Sequence, residues 1–194
     1  KAQTPEPATP FYIEVVPIGD VDIELLRWVV LNVSRAFGMR VEIGAPAVLS
    51  RELYNSRRNQ YNADSLAASL VSRLKGNVWR VLGIVEEDLY AQDMDFVFGS
   101  ASPAFGVAVV SLARLDNTYY GLPGNRERFR SRVIKESVRF LGLATGMRPL
   151  DDPQCIMFPS RKIEDIDRKT PAFCPPSIEH LRKVHRALKE SQKQ

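Results

Sequence analysis

Short apolar runs alternate with helix-spaced apolar stripes along most of the chain, the pattern of a sheet with helices packed against it. Residues 11–16 (FYIEVV), closed by Pro17 and Gly19, predict a first strand. Asp20 or Asp22 then stands where a helix cap belongs, ahead of Leu25, Leu26, Val29, Val30 and Val33, which share one face. Phe37 and Gly38 close that helix, residues 39–43 predict a second strand, and a loop follows through Pro46. Residues 54–61, dense in Asn, Arg and Gln, predict an exposed turn, and Asp64 opens a helix carrying Leu66, Leu70, Val71 and Leu74. Strands are expected over 78–85, 95–98 and 107–112, with a Gly/Ser/Pro loop over 99–106. The strongest helical pattern runs over 124–142, with Phe129, Val133, Glu136, Phe140 and Leu141 on or near one side.

Beyond Gly146 the periodicity fades. Residues 147–177 are rich in Pro, Asp and Arg and predict a loop-dominated stretch. A basic helix is expected over 178–194, with Leu181, Val184 and Leu188 as a narrow apolar stripe. That stripe either docks on the domain, leaving a solvated basic face, or the helix presents a surface to an acidic partner. The organisation expected is a disordered leader over 1–10, a core domain over 11–146 and a C-terminal subdomain over 147–194. The fold class is α/β, or α+β mixed, in one compact domain.

Composition adds exclusions. A chain of 194 residues with 44% hydrophobic and 26% charged residues suits one soluble globular domain. No apolar run approaches the ~18 residues a membrane span needs, and the polar, proline-rich start makes a poor signal peptide. A net charge of +4 tolerates weak attraction to polyanions, but no nucleic-acid motif accompanies it, so nucleic acid is not an expected partner. Two cysteines, Cys155 and Cys174, are too few for a secreted disulfide scaffold, which favours a cytoplasmic location. A monomer is expected. His180 and His185 are the only histidines; five apart on a helix, they share no face for one ion and are expected to face solvent. A three-histidine metal site cannot be assembled from them in one chain.

Several segments, in order, resemble the archaemetzincins, metzincin-type zinc peptidases. PIGDVD at 17–22 is similar to that family's opening, and LYNSRRNQYNADSL at 53–66 to its central segment. VLGIVEEDLY at 81–90, FVFGSA at 96–101 and VAVVSLARL at 107–115 are similar to its sheet core. The resemblance covers residues 11 to about 177 and implies a zincin-like fold: a twisted, mostly parallel mixed sheet, a backing helix, and an active-site helix under a cleft.

The family's chemistry requires H-E-x-x-H-x-x-G-x-x-H, in which His at i and i+4 on one helix face reach one Zn²⁺ and the Glu is general base. A Gly then turns the chain toward a third His, and a Met-turn lies under the metal. Here the preceding V-x-K-E-like stretch is Val133, Ile134, Lys135 and Glu136, and Gly142 and Gly146 fix the register. In that register Arg139 stands at the first ligand position, Phe140 at the base, Leu143 at the second ligand and Pro149 at the third; Gly146 is retained, and Met157 fits the Met-turn. The family's four-cysteine structural zinc site is matched only at Cys155 and Cys174, with Leu150 and Ser177 at the other two positions. The family geometry would bring the two cysteines together, as a disulfide or as two buried thiols.

No zinc or other cofactor is therefore expected, and the sequence is read as a pseudoenzyme with a peptide- or protein-binding or structural role. Phe140, Leu143 and Pro149 are expected to close the former metal pocket as packed core. Arg139 either pairs with a local carboxylate such as Glu136 or snorkels to solvent, or it offers the cleft an anchor for a carboxylate or phosphate. The competing expectations are a metallopeptidase with unconventional ligands, such as Asp151 and Asp152, and a weak polyanion binder.

Overall fold

Strand β1 (Tyr12–Ile18) lies between β2 (Arg40–Ile43) and β5 (Val78–Val85) in a five-stranded sheet, parallel to both. The computed structural model describes residues 10–192, so the leader expected over 1–10 lies outside it apart from Pro10. Pro17 sits inside β1, past the point at which the sequence pattern ends the strand. The reason is local: pairing with β2 stops at Val15, and Pro17 needs only its carbonyl on that side, which accepts from Ala47 N–H at 2.8 Å.

Parallel β9 (Val107–Ser111) follows β5, and antiparallel β8 (Gly99–Ser102) closes the sheet as an edge. Strand β8 falls where the composition predicts a loop, because Gly-Ser-Ala-Ser has little intrinsic strand preference. Close packing explains the glycine: a Cβ on Gly99 would lie 2.2 Å from the Val109 carbonyl oxygen and 2.8 Å from the Phe140 ring.

A smaller sheet of β3 (Tyr54–Asn55), β4 (Gln60–Asn62), β6 (Leu89–Ala91) and β7 (Met94–Val97) stands alongside. The polar 54–61 segment is therefore a β-hairpin rather than an open turn, with Asn59 accepting the left-handed backbone at its tip (φ 55°). Strand β7 ends at Val97, a residue earlier than the pattern suggests.

Helix α1 (Ile23–Phe37) is capped by the Asp22 carboxylate and ended by Gly38 at φ 61°, as the sequence predicts. It buries Leu25, Leu26, Val29 and Val33 against one sheet face, together with α3 (Arg126–Ala144). Helix α2 (Ala63–Ser69), capped by Asn62, covers the other face in a second core with Leu66 and Leu70.

Three helices depart from the sequence pattern. Helix α3 starts after the Asn125 cap and runs through Gly142 to Ala144, because Gly142 serves packing rather than termination. A Cβ there would meet the Met157 sulfur at 3.0 Å. The stretch read as loop over 147–177 contains a short helix, α4 (Ile163–Arg168), which is too polar to show an apolar stripe. Finally α5 (Pro175–Ser191) begins with two prolines in its first turn, three residues before the periodicity does. Residues past 146 do not build a separate core: Met147, Cys155, Ile156, Met157 and Ile166 join the main one.

Candidate functional site

The apolar face of α3 carries charged groups that are almost fully enclosed, and their partners define the site. Glu136 has no exposed surface; its Oε1 accepts from Lys169 Nζ at 2.9 Å and from Ser160 Oγ at 2.7 Å. Lys169 also donates to Ser160 Oγ. Burial pushes the Lys169 ammonium below the usual lysine range, and the Glu136 carboxylate opposes that shift.

Arg139, one helical turn on, is 8% exposed. Its Nη1 lies 3.8 Å from Glu136 Oε2, its Nε donates to the Phe158 carbonyl at 3.1 Å, and its guanidinium sits 4.7 Å from the centroid of the Phe140 ring. Burial lowers its pKa and Glu136 raises it. Of the expectations for Arg139, the local carboxylate pair is the one with geometry on it. The guanidinium is turned onto internal partners.

Two more cations on α3 tie it to α4. Arg132 grips Asp167 with Nε and Nη2, both at 2.8 Å, while its Nη1 donates to the Leu115 carbonyl and Asn117 Oδ1, both at 2.9 Å. The hydrogen bonds from Arg132 hold the Asp167 carboxyl below the usual aspartate range. Lys135 Nζ donates to the carbonyls of Ile166 (3.1 Å) and Asp167 (3.3 Å), at the helix end where a cation is favoured.

The positions matched to the peptidase motif separate into two kinds. Phe140 (7% exposed) and half-buried Leu143 pack into the core. Pro149 is exposed, which corrects the expectation that it plugs a pocket. It instead lines a groove of about 600 Å³ with Leu150, Phe158, Pro159, Arg161 and Lys162. Gly146 turns the chain at φ 91°, and fully buried Met157 lies beneath α3. Asp151 and Asp152 are exposed, and Asp152 accepts the Gln154 N–H at 3.0 Å.

Cys155 and Cys174 are joined as a disulfide, linking the Met-turn segment to the start of α5. Of the two states open in the sequence, the structure has the cross-link. Half-buried Leu150 and buried Ser177 accompany it at the remaining positions of that group. The histidines do not face solvent as expected. His180 Nε2 lies 2.9 Å from the Thr145 carbonyl at the end of α3, and His185 is half-buried with its Nε2 enclosed. Leu181 and Leu188 dock α5 on the core.

A zinc ion does not fit this donor set. At the four motif positions stand a cation already engaged with Glu136, an aromatic ring, an alkyl group and an imino ring, none of them a zinc ligand. Among the described residues no group of three or more His, Cys, Asp or Glu is placed to hold a metal.

Lys169, Ser160 and Asp167 are the members that sequence reasoning missed. The one available signal was Glu136 itself: a carboxylate at an apolar position of α3 demands a buried cation, although nothing local says which.

The parallel-led sheet with its antiparallel edge strand, the long buried helix and the methionine beneath it form the architecture of zinc-dependent peptidases. One such peptidase, from Methanocorpusculum labreanum, superposes with a TM-score of 0.79 at 28% identity, over 87% of this chain and 99% of that one. An archaemetzincin from Methanopyrus kandleri gives 0.78 at 32% identity, over 92% and 97%. The chain belongs to peptidase family M54, whose sequence model matches residues 31–183. The archaemetzincin of Pyrococcus furiosus is 35% identical over 176 residues, 87% of this chain and 91% of that protein. Among the described residues no helix is long and apolar enough to cross a membrane.

Proposed function

We propose that this member of the archaemetzincin family is a pseudoenzyme that binds a peptide or protein segment in the cytoplasm without hydrolysing it. The observation that carries the reading is the filling of the catalytic positions: Arg139 is committed to Glu136 and the Phe158 carbonyl, and Phe140 lies against Gly99 where a base would stand. Hydrolysis of a peptide at a zincin site needs imidazole ligands and a carboxylate base, and these residues supply neither.

Binding has a different requirement, and the groove beside Pro149 meets it. Its walls combine Phe158, Pro159 and Leu150 with the charged heads of Arg161, Lys162 and Asp165, a mixture suited to an extended peptide with both apolar and charged side chains.

The test is elemental analysis of the dialysed protein together with turnover of a general peptide substrate. Zinc well below one per chain and no turnover are expected. Tightly held stoichiometric zinc, with turnover abolished by a chelator, would overturn the reading. For the binding half, peptides selected from a random library should lose affinity for the Arg161→Glu variant; undiminished binding would remove the groove from the proposal.

A further inference from the structure

A second groove, of about 570 Å³, opens between α1 and the N-terminal half of α3 and shares no residue with the one beside Pro149. Trp28, Ile134 and Pro171 give it apolar walls, and Arg126, Arg130 and Glu127 supply its charge. The volume is that of a small-molecule site.

Both arginines are uncommitted to acids. Among the described residues, the ion pairs involve neither Arg126 nor Arg130. Half-buried Arg130 lies over the Trp28 ring, 5.3 Å from its centroid. A guanidinium stacked in this way keeps its edge N–H donors available, in the planar fork that matches a carboxylate.

We propose that this groove binds a small monocarboxylate with an apolar body. The carboxylate sits between Arg130 and Arg126, and the body lies against Trp28, Ile134 and Pro171. Charge selects the class. Two arginines and Glu127 leave the groove one positive charge, which matches a singly charged acid better than a phosphate dianion. The inference does not depend on whether the protein hydrolyses peptides, because the groove lies outside the motif positions.

Titration calorimetry on the full chain with 3-phenylpropionate, and with its neutral amide, tests the site. Saturable binding of the acid is expected, at least about tenfold weaker for the amide and for either Arg130→Gln or Arg126→Gln, as loss of a charge-assisted contact dictates. Arg126 is exposed, so its variant keeps the test valid if the Arg130 variant fails to fold. The acid should also change the emission of Trp28, and Trp28→Phe should abolish that change. No binding at ~10 mM acid, equal affinity for the amide, or unchanged affinity in a folded arginine variant would each overturn the proposal.

Discussion

Lys169 Nζ lies 2.9 Å from Glu136 Oε1, and neither side chain has any exposed surface. The contact joins the middle of α3 to the end of α4 across 33 residues of sequence. Replacing one member of such a pair leaves an uncompensated buried charge, at a cost of about 3–5 kcal/mol, whereas replacing both with apolar residues can be nearly neutral. Lys169→Met is therefore expected to lower the unfolding free energy by that amount in urea titrations, and Lys169→Met/Glu136→Leu/Arg139→Leu, which removes every charge of the cluster, to regain much of it. Parental stability in the single variant would mean that the pair is open or hydrated in solution.

The disulfide closes a loop of 19 residues. In the chain-entropy account a loop of this size stabilises by about 3 kcal/mol. Cys155→Ser/Cys174→Ser should therefore unfold at lower urea concentration, and a reducing agent should lower the midpoint of the parent but not of the variant. The bond ties residue 155, beside the buried Met157, to the residue that precedes α5.

How far the sequence revealed this arrangement depended on how local each cause was. Helix α1 was legible because its cap (Asp22), its stripe and its terminal Gly38 are all encoded within it. Strand β8 was not, since Gly99 to Ser102 become a strand only when β9 and Phe140 are beside them. The assignment of Arg139, Phe140, Leu143 and Pro149 to the motif positions rests on register alone. Their environments were not legible: whether Arg139 faced solvent or Glu136 depended on Phe158 and Lys169, which approach from residues read as loop. His180 illustrates the same limit, because its partner is the Thr145 carbonyl 35 residues away.

Acid should loosen the α3–α4 contact before the rest of the core. The Asp167 carboxyl is held below the ordinary aspartate range by hydrogen bonds from Arg132. A carboxylate whose folded pKa is depressed contributes stability that is fully present above its unfolded pKa of about 3.9 and is lost as pH falls through the folded value. Denaturation midpoints between about pH 5 and 2 should fall less steeply for Asp167→Asn than for the parent. At neutral pH that variant should lose about 1–2 kcal/mol; a third of the Asp167 side chain is exposed, and solvent screening moderates the loss. Parallel pH profiles would show that Asp167 is not set by Arg132 in solution.

The sharpest test of the proposed reading is to place the family's motif residues at the matched positions. Positions 139 and 143 are one helical turn apart on α3, the spacing that lets two imidazoles reach one ion, and Gly146 still turns the chain at φ 91° toward position 149. The overall backbone course is similar to that of a zinc-dependent peptidase, at a TM-score of 0.79. The combined Arg139→His, Phe140→Glu, Leu143→His and Pro149→His protein should then take up about one zinc per chain, while the parent takes up far less. Removing Arg139 also strips Glu136 of one of its two cations, so this variant should be less stable without metal and should gain thermal stability on adding zinc. If this variant folds but holds no more zinc than the parent, the backbone at these four positions does not present side chains to one ion, and the register assigned to them is wrong.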